Sequence, residues 1–253
     1  MATDSGRPDD QQPVRSGLLL IADIAGYTRF MKAHRTSLAH AQDVVGRLLE
    51  AMIDAVPALS LIEVEGDAAF LYRPLAARAD GEVAASAVEQ ARAMHRAFHV
   101  RQQGMVARNV CSCDGCTQTG NLRVKFVAHV GEVATQRVKA LTRLAGLDVI
   151  VVHRMLKNSV PVPEYVLLSD RLFANADHSL RERARALEQE FEGLGRARTY
   201  FLDLQEAATD LPPAPVASWW SKQRETLGVA LRSLPRLLGL APSGPGLRNL
   251  PSG

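Results

Sequence analysis

Gly66-Asp67 separates two short apolar segments, Leu59–Glu65 and Ala68–Tyr72, and no other pair of residues constrains the fold as much. Glycine reaches the positive φ that a tight turn needs, so a Gly-Asp loop between two strand-like runs predicts an antiparallel hairpin. Upstream, Leu18–Ile21 reads as a buried strand that stops at Asp23 and is followed by Gly26. Between strand and hairpin, Leu38, Val44, Val45, Leu48, Leu49, Met52 and Ile53 recur at helical spacing from about Ser37 to Val56, and Pro57 closes that segment. Beyond the hairpin, Gly81 to about Val100 is alanine-rich and helical in pattern. Leu122–His129 alternates as a strand, Gly131 is expected to break it, and Glu132–Lys139 continues as a second strand.

Val149–Leu156 is apolar between Gly146 and Lys157-Asn158, and its pattern fits a helix or a strand. Tyr165–Leu168 and Arg198–Leu204 read as closing strands. The order predicts an α+β fold: a ferredoxin-like βαββαβ sheet with appended strands and helices packed on one face. Residues 1–16 have few apolar side chains and read as a disordered leader before a domain over 17–205. At Leu211 the composition shifts, so 206–253 reads as a linker with Pro212, Pro213 and Pro215, an amphipathic segment and a Pro/Gly-rich tail.

The formal charge is only +3 and the basic residues are scattered, which argues against nucleic-acid binding as the main function. The polar N-terminus has no apolar core of a secretory signal, and the apolar run Leu18–Ala22 falls far short of the about 20 residues a bilayer span needs. Three cysteines, all between Cys111 and Cys116, cannot form a framework of independent disulfides, and a cytoplasmic, reducing setting fits them.

Two aspartates stand where strands end. In a ferredoxin-like sheet the first strand and the hairpin are neighbours, which brings Asp23 and Asp67 together. Paired carboxylates at the open end of a sheet suit Mg²⁺, a hard cation that takes oxygen ligands and keeps water or phosphate for the rest. The turn Ile24–Thr28, including Gly26, offers backbone N–H groups to a phosphate near a helix N-terminus. Taken singly, each aspartate reads more simply as a turn or cap residue.

The surrounding words decide between these readings. Ile21-Ala22-Asp23-Ile24-Ala25-Gly26-Tyr27-Thr28 resembles the "ADI-x-G-[FY]-T" opening of the class III adenylate and guanylate cyclases. Glu63–Phe70 resembles their "[KE]-x-x-G-D" hairpin, and Lys125-Phe-Val-Ala-His129-Val-Gly131-Glu-Val133 their "R-x-G-x-H-x-G-x-V" strand. Gly146–Met155 resembles their "G-x-x-V-N-x-A-x-R-[ILM]" helix and Arg198–Leu202 their closing strand, in the family's order across about 17–205.

The resemblance implies a head-to-tail homodimer with nucleoside-triphosphate sites at its interface. Mg²⁺ or Mn²⁺ would be held by Asp23, Asp67 and the carbonyl of Ile24. Lys125 takes the place of an arginine that touches the triphosphate, and Arg154 that of the arginine that stabilises the transition state. Glu63 stands where guanylate cyclases carry glutamate; a carboxylate only accepts hydrogen bonds, which suits the N1–H and N2–H of guanine and so favours GTP. The second base-reading position falls near Arg143, which matches neither usual residue. Ile150 stands in place of the catalytic asparagine, and Glu192 reverses the charge of a triphosphate-binding lysine. Losing one such preorganised donor costs about 2.7–4 kcal/mol of barrier stabilisation. A slow cyclase and a silent nucleotide- or metal-sensing module are therefore both expected outcomes of this sequence.

Cys111-Ser-Cys113-Asp-Gly-Cys116 lies outside the cyclase pattern. Three thiols at this spacing suit zinc, with His95 or His99 of the preceding helix as a fourth ligand, or an iron–sulfur cluster. Three free thiols in a surface loop are the plain alternative. In the C-terminal segment, Trp220, Leu227, Leu231, Leu234 and Leu238 share a helical face with basic residues around it, a pattern for docking on the domain or for peripheral membrane contact.

Overall fold

Both faces of the first strand are buried: Leu18, Leu19, Leu20, Ile21 and Ala22 are almost wholly inaccessible. A strand like this has to sit inside a sheet with a layer on each side. The computed structural model describes residues 14–33, 38–75, 82–108, 118–138 and 141–205. Its strands are β1 (Arg15–Ala25), β2 (Ser60–Glu65), β3 (Ala68–Pro74), β4 (Arg123–Val138), β5 (Leu141–Ala145), β6 (Tyr165–Ser169), β7 (Arg185–Phe191) and β8 (Gly195–Asp203). The helices are α1 (Tyr27–Ala33), α2 (Leu38–Asp54), α3 (Glu82–Arg108), α4 (Leu147–Met155), α5 (Asp170–Phe173) and α6 (His178–Arg183). The sheet order is β2-β3-β1-β4-β6-β8-β7, with β5 paired to the far half of β4. Its first four strands are the βαββαβ unit; β4 then runs parallel to β6, and β5 to β8 are the appended strands.

The helices do not pack on one face only, as the sequence suggested. Leu18, Leu20, Ala22 and Ile24 face one core with Val44, Leu48, Met94 and Phe98 of α2 and α3. Leu19 and Ile21 point the other way, into a second core with Val152 and Met155 of α4. The ambiguous segment after Gly146 is thus a helix, and it closes the opposite face. Strict period-two alternation along β1 places Asp23 on that α4 side.

Gly131 does not interrupt β4, which runs unbroken from Arg123 to Val138. The glycine serves close approach: a Cβ there would lie 2.2–2.4 Å from the carboxyl end of Asp148 on α4. Helix α3 runs on to Arg108 rather than ending near Val100, and β1 begins at Arg15, inside the stretch read as leader. No helix among the described residues is long and apolar enough to cross a membrane.

Candidate functional site

The register of β1 brings the charged groups together. Asp23 pairs with Ala68 of β3 on one side and with Lys125 of β4 on the other. Asp67 ends the hairpin turn immediately before Ala68, and the Ile24 N–H donates to the Asp67 carbonyl at 3.1 Å. Gly66 at φ 63 makes that turn. Burial, and then the charge of Asp23, pushes the Asp67 carboxyl up to about 6; a backbone hydrogen bond and Lys125 only partly offset this. Lys125 Nζ lies 2.9 Å from Asp23 Oδ2. Burial works against that ammonium's charge, but Asp23 outweighs it and raises its pKa. Two neighbouring carboxylates and the Ile24 carbonyl near the end of β1 are hard oxygen donors of the kind that Mg²⁺ or Mn²⁺ takes. Lys125 supplies a positive charge at the same edge.

The other cyclase-like positions surround this edge. Gly26 and Thr28 are exposed where β1 passes into α1, and the Phe30 N–H donates to the Gly26 carbonyl at 3.0 Å. Glu63 on β2 pairs with Arg143 on β5 at 3.6 Å, so the two positions assigned to base reading face one another. Beside them Glu63, Glu65, Phe70 and His153 line a small hollow. His153 stacks edge-on against Phe70 at 5.1 Å, and burial lowers its pKa despite the nearby Glu65 and Glu63.

Arg154 of α4 is held by Glu192 in the turn between β7 and β8, with Lys157 at 3.8 Å from the same carboxylate. The charge-reversed position and the arginine expected to serve the transition state are thus partners. Ile150 is half exposed on α4 and offers no donor. Asn158 is engaged at the end of α4: its amide donates to the Met155 carbonyl at 2.8 Å, and its oxygen accepts from the Tyr165 hydroxyl at 2.7 Å. It caps the helix.

Sequence reasoning missed a buried relay behind the edge. His129 bridges Ser169 Oγ at 2.8 Å and Asp148 Oδ1 at 2.9 Å, and Asp148 also accepts the Glu132 N–H. Ser169 is buried and caps α5 by accepting the Leu172 N–H at 3.3 Å, so this trio clamps α4 and α5 to β4 and presents no nucleophile.

The cysteine cluster lies outside the described residues. Its expected histidine partners meet a different residue: His99 Nε2 lies 2.8 Å from Glu164 Oε1, and His95 Nε2 3.5 Å from Glu164 Oε2. Burial would raise the Glu164 carboxyl, but the two imidazoles outweigh it and hold it at about 2. The only sequence sign of Glu164 is an acidic residue immediately ahead of an entirely buried strand.

A family described as "Protein of unknown function (DUF2652)" matches residues 45–165. The uncharacterized protein Rv2561/Rv2562 of Mycobacterium tuberculosis is 40% identical over 210 residues, covering 83% of this chain and 96% of its own length. Among solved structures, the adenylyl cyclase CyaB from P. aeruginosa aligns with a TM-score of 0.59 at 13% identity, over 81% of this chain and 99% of that one. The guanylate cyclase domain of RhGC from Catenaria anguillulae, solved in complex with GTP, aligns with a TM-score of 0.54 at 16% identity, over 76% and 98%. At such identities the likeness speaks for the fold. The chain has the class III nucleotide-cyclase fold, and it belongs to the family of the Mycobacterium tuberculosis protein Rv2561/Rv2562.

Proposed function

We propose that this chain is a cytoplasmic, homodimeric, cyclase-like module that binds a divalent metal and a nucleoside triphosphate, GTP in preference to ATP. The observation that carries the reading is the register that sets Asp23 opposite Ala68, with the Ile24 N–H bonded to the Asp67 carbonyl, so that the two carboxylates stand side by side. The charge of Asp23 helps burial to raise the Asp67 carboxyl. Two neighbouring carboxylates, one near the end of β1 and one in the β2–β3 turn, with the Lys125 ammonium beside them, suit a divalent cation.

Asp23, Asp67 and the Ile24 carbonyl would hold the metal, which supplies acidification of the ribose 3′-hydroxyl and charge neutralisation at the α-phosphate. Lys125, already poised at Asp23, brings point charge to the phosphates without an arginine's bidentate fork. Glu63 accepts from the guanine edge once Arg143 gives way. Arg154 reaches the reacting phosphate only by leaving Glu192.

That last pair favours the second reading, a catalytically silent sensor. Three charged groups of the edge are neutralised within one chain: Asp23 by Lys125, Glu63 by Arg143 and Arg154 by Glu192. With Ile150 in place of a donor, cyclisation to a 3′,5′-cyclic nucleotide and pyrophosphate is slow or absent.

The test is incubation of purified protein with Mg²⁺ or Mn²⁺ and GTP or ATP, resolving products by mass and binding by calorimetry, with Asp23→Ala/Asp67→Ala as control. Metal-dependent binding lost in the control is the expected result. Cyclic product also lost in the control makes the chain a cyclase. Neither binding nor turnover removes the nucleotide reading and leaves the fold.

A further inference from the structure

Helix α3 carries His95 and His99 one turn apart, so both imidazoles project from the same side. They point inward: His95 is 1% and His99 8% exposed. Opposite them, just before β6, Glu164 is 4% exposed and anchored at both ends. Its carbonyl accepts the Leu204 N–H at 3.0 Å, and its Oε1 accepts the Val124 N–H at 3.2 Å. One ligand atom from each of the three side chains lies within 4.8 Å of the others.

Hydrogen bonding decides what faces the centre of this cluster. Gln102 Nε2 donates to the carbonyls of Thr119 and Leu122, both at 2.8 Å, which leaves its Oε1 as the acceptor. His99 Nδ1 sits 3.1 Å from that oxygen and must therefore carry the ring proton toward it. In a neutral imidazole this leaves Nε2 as a lone pair, only 2.8 Å from Glu164 Oε1. A lone pair facing a carboxylate oxygen at that distance is repulsive unless something positive lies there. His95 Nε2 is buried and makes no hydrogen bond at all. Two imidazole nitrogens and a carboxylate thus converge, out of contact with water, on a point where only a proton or a cation can sit between their lone pairs.

We propose that His95, His99 and Glu164 form a buried site for a divalent transition metal of the zinc class. Two nitrogens and one carboxylate oxygen are a donor set zinc accepts, and they supply three of the four positions of a tetrahedral site. The Gln102 oxygen on His99 Nδ1 is the outer partner that fixes a ligating histidine's tautomer and orientation. The metal ties α3 to the entry of β6 and to β4, on the face of the sheet away from Asp23, Lys125 and α4. Its role is structural, because burial leaves no room for a substrate. The assignment does not depend on the nucleotide reading.

The experiment measures metal in the full-length protein by mass spectrometry after dialysis, and records zinc-edge X-ray absorption on the wild type. About one equivalent of zinc per chain is expected, with at least two imidazoles among the nearest scatterers. His95→Gln/Glu164→Gln should drop the content at least about tenfold, while Asp23→Ala/Asp67→Ala leaves it unchanged. The wild-type spectrum identifies the ligands even if the buried double variant fails to fold. Sulfur alongside two imidazoles still supports the site. A shell without two imidazoles overturns it, as does unchanged zinc in the folded double variant. So does a wild-type chain that neither retains zinc nor takes up zinc or cobalt after chelation; a shared proton then fills the cluster.

Discussion

His129 shows how one buried side chain makes stability depend on pH. Its ring is buried between Ser169 and Asp148, and burial holds its pKa below the ordinary 6.5 despite the Asp148 carboxylate. Burial also raises the Asp148 carboxyl, but the hydrogen bonds from His129 and the Glu132 N–H, with Arg171 nearby, bring it below 3.8. Both shifts act in one direction. As pH falls below about 6.5 the unfolded chain takes up a proton that folded His129 resists, and below about 3.8 the same holds for Asp148. The contribution of this pair is therefore complete above neutrality and declines in two steps on acidification, while Asp67, raised to about 6, works the other way between about 3.8 and 6. Urea midpoints at pH 7.5, 5 and 3.5 check this, and Asp148→Asn should lower stability at pH 7.5 by about 1–3 kcal/mol while flattening the lower step. An unchanged acid limb in the variant would remove Asp148 from the account. None of this relay is legible in the sequence, because Asp148, His129 and Ser169 share no spacing; only the register of β4 and the seating of α4 bring them together. The juxtaposition of Asp23 and Asp67, by contrast, was legible, because β1 and the Gly66-Asp67 turn follow from pattern alone, although Asp23 lies two residues inside β1 and not at its end.

At the scale of elements, patterns with a strong period were readable and crossings between elements were not. The hairpin, α2 and the two closing strands follow from alternation, helical spacing and the Gly-Asp turn. Strand β7 did not, since its residues Arg185, Glu188 and Glu190 make a polar edge strand with little apolar alternation. Gly131 was misread as a break because glycine in a strand signals either a bulge or a close backbone approach, and the sequence does not say which. The structure selects the second, so Gly131→Ala should cost about 1–3 kcal/mol by overpacking against Asp148. Gly66→Ala should also destabilise, by roughly 1–2 kcal/mol, but through its φ of 63 in open space. Asparagine separates the causes: it tolerates the left-handed region and should restore most of the loss at position 66, yet worsen it at 131. Thermal melts of the four variants make the comparison, and rescue of position 131 by asparagine would disprove the close-contact account.

For the whole molecule, the question is whether one chain can close a site around a nucleotide. The hollow beside Glu63, Glu65, Phe70 and His153 is small and open on one side. Helix α4, which carries Arg154, also exposes Leu147 at 67% and Ile150 at 51%, three positions apart on its outer side. Large apolar side chains beside a charged, half-built site are what an interface between two copies would cover. In the proposed head-to-tail dimer, the partner's surface would complete each site and give Arg154 a reason to leave Glu192. Leu147 tests this more cleanly than Ile150, which the cyclase resemblance aligns with a catalytic asparagine. Leu147→Glu places a charge on an already exposed side chain, so the fold should survive with an unchanged melting temperature. Dimer dissociation measured by sedimentation velocity should strengthen at least about tenfold, the effect of losing an apolar anchor at an interface. Metal-dependent nucleotide binding should weaken in parallel, because a monomer offers only half of each site. A wild-type chain that stays monomeric at high concentration, or a monomeric variant that binds nucleotide as well as wild type, would place the whole site within one chain and leave Glu192 as the permanent partner of Arg154.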